Sequence, residues 1–355
     1  MMGLNLKFLS PVIVLCVISL VVLFSIDPFY FRAQLIYLVL AIVAYYIFSK
    51  VNLDFISEFY LPIYFISIFM LLFILFIGHS SHGAVRWLSF FGVNLQFSEI
   101  LKPFLALSLA KFISKEGSLR SKFYMSIVFL LPLSFLIFKQ PDLGSALVYF
   151  LSAMLSFLII GFPLVYFLTI LAPIIVLFPV IWRFFLHSYQ KDRLLSFLKL
   201  SYDPLGASYN MIQSIISIGS GGFMGKGLGL GTQSALHFLP EKHTDFMFAS
   251  LSEETGFLGS AIIVIIFMYL FFKIMQIISV TNDQFYKILG IISFSIIFIE
   301  FILNIGMNLG LLPVVGVALP FVSYGGSSLI STFILLGFLN QISQKQTNEK
   351  VIEIR

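Results

Sequence analysis

FLSPVIVLCVISLVVLFSI occupies residues 8–26 and FRAQLIYLVLAIVAYYIFS residues 31–49. Each is close to the roughly 20 apolar residues a helix needs to cross about 30 Å of hydrocarbon. The first run exceeds the apolar region of a signal peptide, has no small-residue cleavage site, and leads straight into the second. It reads as a retained helix. Further runs of similar size lie near 59–78, 98–113, 123–138, 144–161, 163–185, 257–275, 286–306 and 327–342. The expectation is an all-α polytopic integral membrane protein of about ten spans, forming a single domain over 1–355, with a polar tail at 343–355.

Composition agrees. Charged residues make up 10% and hydrophobic residues 59% of the 355-residue chain, and mean hydropathy is +1.04. Soluble domains carry roughly 25% charged residues, so a soluble enzyme, a nucleic-acid binder and a disordered scaffold are excluded. The net charge of +5 is a matter of loop distribution rather than nucleic-acid binding. Cys16 is the single cysteine, so no disulfide framework or cysteine metal site exists.

An even span count puts both termini on one side. With the termini inside, short inner segments carry eleven Lys and Arg (Lys7, Lys50, Lys111, Lys115, Arg120, Lys122, Lys273, Lys287, Lys345, Lys350, Arg355). Short outer segments carry four (Arg32, Arg86, Lys102, Lys139). The positive-inside rule therefore predicts cytoplasmic termini. The segments dense in Gly, Pro and charge, including the long connection 186–256 between spans seven and eight, then face outside.

Within that connection, 219–231 reads GSGGFMGKGLGLG. Glycine-rich backbone can approach a phosphate closely, with Lys226 as a point charge. It is no Walker motif, because Gly227 follows the lysine where Ser or Thr belongs. A plain membrane-surface turn is the competing reading. FLPEKHTDF (238–246) crowds Glu241, Lys242, His243 and Asp245 into five positions. Beside Phe246, Met247 and Phe248, a carboxylate there suits a general base, with helix capping by Thr244 or Asp245 as the alternative. Were 241–245 one helical turn, Glu241 and Asp245 would face the same way, making Glu241 the rival base.

Glu99 and Lys102 are i,i+3 neighbours able to pair at the start of span four, if only as an orienting salt bridge. Asp142, in KQPDLGS, reads as a helix N-cap. Glu300 lies mid-span with no evident partner, a functional candidate by default or a buried, protonated carboxyl. His79 and His82 are weak metal evidence. No HExxH or GxSxG motif occurs.

Six stretches in collinear order resemble the SEDS family of cell-wall proteins, RodA, FtsW and SpoVE. They are GAVRWLSFFGVNLQFSEILK (83–102), QPDLGSA (140–146), YQKDRLLSFL (189–198), DPLGASYNMIQSIISIGSGGFMGKGLGLGTQ (203–233), FLPEKHTDFMFASLSEETG (238–256) and NIGMNLGLLPVVGVALPFVSYGGSS (304–328). FLPEKHTDF and GVALPFVSYGGSS look closer to RodA than to FtsW. Ser145 stands where the family usually has Thr, and Phe97 where it often has Pro.

The resemblance implies ten helices with a large extracellular loop between the seventh and eighth, in the bacterial cytoplasmic membrane. It implies a peptidoglycan glycosyltransferase that polymerises lipid II, an undecaprenyl-pyrophosphate-linked disaccharide-peptide, into β-1,4 glycan strands at the outer leaflet during elongation. The partner it implies is a class B penicillin-binding protein. Asp245 is the implied general base of an inverting transfer. Arg86, Lys102, Lys226 and Arg193 are candidates for the pyrophosphate charge, and Glu99 with Lys102 would wall the lipid groove. Asp142 either orients the site or helps hold a metal; Mg2+ or Mn2+, on Asp142 or Asp245, is the cofactor to consider. Gln213, Gln233, Glu241, Lys242, His243, Thr244, Ser323 and Tyr324 complete the substrate-binding or supporting set. The alternatives are a division-type polymerase and a lipid II flippase. A flippase should line a path through the bilayer with charge and show paired half-repeats, whereas the unusual residues here cluster on one side. A pure scaffold would leave Asp245 and the glycine run without purpose.

Overall fold

The computed structural model describes residues 6–77, 79–81, 84–90, 93–186, 188–199, 202–236 and 238–353. Helices α1 (Leu6–Ile26), α2 (Pro28–Phe48), a short α3 (Leu53–Glu58) and α4 (Tyr60–Ile77) open the chain. Three strands follow, β1 (His79–Ser81), β2 (Ala84–Phe90) and β3 (Val93–Gln96), paired antiparallel in chain order with Leu88 opposite Leu95. Among the described residues this small sheet is the one departure from an all-α reading, and it lies between two spans.

The short α5 (Phe97–Ile100) runs into α6 (Lys102–Ser114), with α7 (Leu119–Lys139), α8 (Leu143–Ile160) and α9 (Leu164–Val180) behind it. α9 ends in a π-helical turn, Ile181–Phe185. The long connection is itself helical, with α10 (Ser188–Leu198), α11 (Tyr209–Ser220) and α12 (Thr232–Ala235). The chain closes with α13 (Met247–Ser279), α14 (Gln284–Asn308) and α15 (Gly326–Glu353). Eight helices are long and apolar enough to cross a membrane, with Tyr60–Phe76 as a shorter apolar helix. The remaining span read from the sequence corresponds to α5 and α6. Caps account for several starts: Asp27, Ser118, Asp142 and Asp283 each accept a backbone N–H of the first turn, meeting donors that helix geometry leaves unpaired.

α14 is the axis of the bundle, packed against α6, α8, α13 and α15, while α15 lies along α2. α9 buries no residue within the protein, so its apolar surface suits lipid. The end of the bundle formed by the last turn of α1, the start of α2, β1–β3, the 140–142 turn, the long connection and 309–325 collects the unusual residues. At the opposite end Gln341 ties α15 to the Phe48 and Val51 carbonyls at 2.6 Å each, and Lys345 pairs with Asp283 at 3.0 Å.

Candidate functional site

Three polar clusters meet at that end. The first joins α5, α6, α8 and α14. Lys102 Nζ lies 2.7 Å from Glu99 Oε1, and it also donates to Glu300 Oε1 of α14. Glu300 therefore has a partner, one 198 positions away in the chain. With two carboxylates against it and 1% of its surface exposed, Lys102 is committed inside the protein rather than offered to a ligand. Ser145 Oγ reaches both Glu99 Oε1 (3.5 Å) and Asp142 Oδ2 (2.8 Å). Asp142 caps α8 through Ser145 N at 3.1 Å and accepts at Oδ2 from Gln96 Nε2 (2.6 Å) and Ser98 Oγ (3.1 Å). Four donors thus converge on its carboxylate, three of them on Oδ2. Gln96 N in turn bonds Ser327 Oγ at 2.8 Å. Among the described residues no three His, Cys, Asp or Glu side chains gather as a metal site, and His82 lies outside the described residues.

The second cluster explains the glycine run. α13 breaks at Gly256, where φ is +69°. The backbone groups freed by the break exchange partners with the glycine loop: Lys226 N and Gly227 N bond the Glu253 and Glu254 carbonyls at 3.0 Å, and Phe257 N bonds Gly222 O at 2.9 Å. A Cβ on Gly256 would lie 2.3 Å from Gly225 N, so the approach requires glycine. Glu253, fully buried, accepts from Gln233 N (2.9 Å), Ser234 N (3.1 Å), Ser234 Oγ (3.0 Å) and Thr232 Oγ1 (3.2 Å), and pairs with Lys226 Nζ at 2.8 Å. Glu254 takes Ser25 Oγ of α1 at 2.7 Å and Gly229 N at 3.1 Å. Lys226 is thus held by an internal carboxylate, and the loop's amides serve packing. Two carboxylates in SEETG, at the mouth of an apolar span, are the signal that would have found Glu253 and Glu254.

The third cluster carries Asp245. Residues 241–246 form turns rather than a helix, with Glu241 at φ +50°, so Glu241 and Asp245 do not share a helical face. Neither Thr244 nor Asp245 caps α13, whose N-cap is Phe246 without a side-chain bond; Thr244 Oγ1 bonds Glu241 Oε2 at 3.0 Å instead. Lys242 is buried and donates to the Ser234 carbonyl. The His243 ring stacks on Tyr30 of α2 at 3.9 Å. Burial depresses both pKa values, the main cause in each case, which disfavours the charged forms of Lys242 and His243. The SYGG turn clasps the loop from the far side: Ser323 Oγ donates to Thr244 O at 2.6 Å and Tyr324 N to His243 O at 2.9 Å.

Asp245 is half-buried, and its backbone carbonyl accepts from Asn304 Nδ2 and Asn308 Nδ2, each at 3.0 Å. Its carboxylate lies over Gly316, where a Cβ would sit 3.2 Å from Oδ2 and φ is +73°. The same segment packs on the first turn of α8, since a Cβ on Gly144 would be 2.4 Å from Val315 O. Val315 and Gly316 thereby lie between that turn and Asp245.

Of the remaining candidates, Gln233 belongs to the second cluster through its backbone N–H. Arg193 lies on α10 with its guanidinium 5.8 Å from the Tyr189 ring, and Tyr189 OH bonds Pro141 O at 3.0 Å beside Asp142. Gln213 and Gln233 each keep a buried side-chain carbonyl that accepts no hydrogen bond. Arg86 sits in β2, and its side chain lies outside what the structure describes.

Fold and site together define a polytopic helical membrane protein with a buried acid–base constellation at one end of its bundle. A family model described as Cell cycle protein, FtsW/RodA/SpoVE, matches residues 2–348. The chain belongs to that SEDS family. It is 38% identical over 300 residues to the Escherichia coli K12 peptidoglycan glycosyltransferase MrdB, covering 82% of this chain and 78% of that one. It is 34% identical over 319 residues to the probable peptidoglycan glycosyltransferase FtsW of Wigglesworthia glossinidia brevipalpis, covering 86% and 82%. Among solved structures, a chain of a peptidoglycan synthase complex coordinating polymerization and crosslinking superposes with TM-score 0.83 at 25% identity over 96% of this chain and 98% of that one. Thermus thermophilus RodA superposes at 0.71 with 23% identity over 96% and 97%, a likeness of fold.

Proposed function

We infer that this chain is a peptidoglycan glycosyltransferase that polymerises lipid II at the outer leaflet of the bacterial cytoplasmic membrane, with a class B penicillin-binding protein as partner. Family membership supports the class, and the observation that carries the chemistry is the clasped, half-buried Asp245. The 4-hydroxyl of the acceptor sugar gives its proton to the Asp245 carboxylate as its oxygen attacks the donor's anomeric carbon. The bond to the pyrophosphate breaks on the opposite face, and an α-linked donor yields a β-1,4 product. Such chemistry rests on positioning and electrostatic stabilisation.

Lys102, Lys226 and Lys242 are engaged by internal acceptors. Arg193 and Arg86 are taken as the candidates for the leaving pyrophosphate because a planar guanidinium suits bidentate phosphate contacts. The Glu99–Lys102–Glu300 cluster acts as a wall that fixes helix positions. Asp142 does not fit a metal. Asp245 fits one only as a single carboxylate beside substrate phosphate oxygens, the usual mode for Mg2+, which would add positive charge at the leaving group. RodA-like elongation is favoured over the division role by the FLPEKHTDF motif, and charge paired off at one end of the bundle disfavours a flippase path.

Purified protein, alone and with its transpeptidase, should convert labelled lipid II to polymer resolved on a gel. No polymer, together with lipid II scrambling in liposomes, would overturn the enzyme reading. The inside-termini orientation is tested on intact cells after Cys16 is replaced. An impermeant thiol reagent should label Leu205→Cys and not Glu116→Cys, both at exposed positions; the reverse pattern inverts the topology.

A further inference from the structure

Asn304 and Asn308 lie fully buried on one face of α14, one turn apart, with Glu300 a turn earlier on the same face. Burying two amides inside a membrane bundle is costly unless every group is satisfied, and here the donors converge. Asn304 Nδ2 gives one proton to Asp245 O at 3.0 Å and the other to Val317 O at 2.7 Å. Asn308 Nδ2 gives one to Asp245 O at 3.0 Å and the other to Asn304 O at 2.9 Å, while its Oδ1 accepts from Ala249 N at 3.1 Å. Ser214 Oγ of α11 bonds Asn308 O at 2.8 Å.

A carbonyl oxygen has two lone pairs, so the Asp245 peptide plane is fixed from both sides by one helix. The same helix grips the segment beginning at Val317, next to the Gly316 over which the carboxylate lies. Its other end of the stripe, Glu300, is tied to Lys102. An apolar pair would fill this space without registering Asp245 to anything; the amides fix the direction in which its Cα–Cβ bond leaves the backbone.

We propose that Asn304 and Asn308 are positioning residues for glycosyl transfer, aiming the Asp245 carboxylate, and that Glu300 registers this clamp against the Glu99–Lys102 wall. The proposal rests on Asp245 as the base. Misplacing a catalytic group by about 1 Å can cost on the order of 10²-fold.

The test uses the full chain with its transpeptidase, measuring kcat and KM for lipid II, binding of fluorescent lipid II, and thermal melting. Asn304→Asp and Asn308→Asp keep the side-chain shape but present an acceptor to the Asp245 carbonyl. Each should lower kcat by about 10²-fold with KM and lipid II binding unchanged. Where an Asp variant fails to fold, Asn304→Ser and Asn308→Ser retain one donor at shorter reach and should show a smaller fall, again in kcat alone. Wild-type kcat, or a kcat that drops only in step with the folded, lipid II-binding fraction, overturns the proposal. Asp245→Asn is run alongside. If it is inactive while the Asn304 and Asn308 variants polymerise normally, the clamp alone is refuted; if it polymerises normally, the base assignment and the clamp both fall.

Discussion

Glu253 and Asp245 sit eight positions apart in one segment and are held in opposite ways. Glu253 is gripped by its side chain: its carboxylate sits in a nest of backbone and hydroxyl donors with Lys226 against it, wholly out of solvent. Asp245 is gripped by its backbone: two amides fix its carbonyl while its carboxylate lies half-buried over Gly316. A carboxylate saturated with donors is stabilised as an anion and is a poor base. Asp245 has its main chain fixed, and under the proposed function its carboxylate is the group that takes the proton from the substrate. Under the proposed function, the difference separates an acid that builds the site from one that works in it.

The sharpest way to break this contrast is to neutralise each acid. Asp245→Asn should abolish polymerisation, a loss of about 10²–10⁴-fold for a general base, with melting and partner co-purification unchanged. Asp245→Glu should also be impaired, by on the order of 10²-fold, whereas Glu241→Gln should polymerise well. A Glu241→Gln protein that is dead beside a live Asp245→Asn protein would exchange the roles.

Glu253→Ala should show the converse pattern. It strands Lys226 and several loop donors, and removing one partner of a buried pair costs roughly 3–5 kcal/mol. The lower figure, about 3 kcal/mol, applies because the Lys226 side chain is 26% exposed. Differential scanning in detergent should register the loss as a fall in melting temperature, and residual activity should track the folded fraction. A stable but inactive Glu253→Ala protein would move Glu253 into the chemistry and dissolve the distinction.

A smaller effect is expected at the helix wall. With Glu300 present, Glu99→Ala leaves Lys102 one carboxylate, so the cost is about 1 kcal/mol, the low end for a partly unsatisfied buried donor, and Glu99→Gln should cost less. The charge swap Glu99→Lys with Lys102→Glu sets a new carboxylate against Glu300 and should not recover function. Recovery on adding Glu300→Gln to that swap would show that the triad, rather than the pair, is the structural unit.

The smallest effect concerns pH. Burial holds the His243 pKa below its ordinary value of about 6.5. Between the folded and unfolded values the unfolded chain binds the proton and the folded one does not, so stability falls as pH drops below about 6.5. Glu241 and Asp27 oppose this shift and Lys242 reinforces it. His243→Gln should flatten the dependence of melting temperature on pH over that window, and an unchanged slope would remove His243 as its source.

The spans were legible because bilayer thickness fixes helix length, and a run such as 286–306 announces itself by composition whatever surrounds it. The Glu99–Lys102 pair and the Asp142 cap were legible because their partners are three residues away. The β1–β3 sheet was missed because its strands are short and separated by a few residues, a weak signal beside long apolar runs. NIGMN passed as part of a motif although two Asn at i,i+4 within an apolar span were a sign of a paired polar function. Sequence alone therefore determined that this is a multi-span membrane protein, which family it resembles, and which acid to suspect. Only the tertiary structure decided that Glu300 closes on Lys102, that Glu253 occupies the glycine loop's donors, and that α14 holds the Asp245 backbone. Local periodicity reports on neighbours a turn away, whereas these bonds join residues 198, 20 and 59 positions apart, brought together by helix packing.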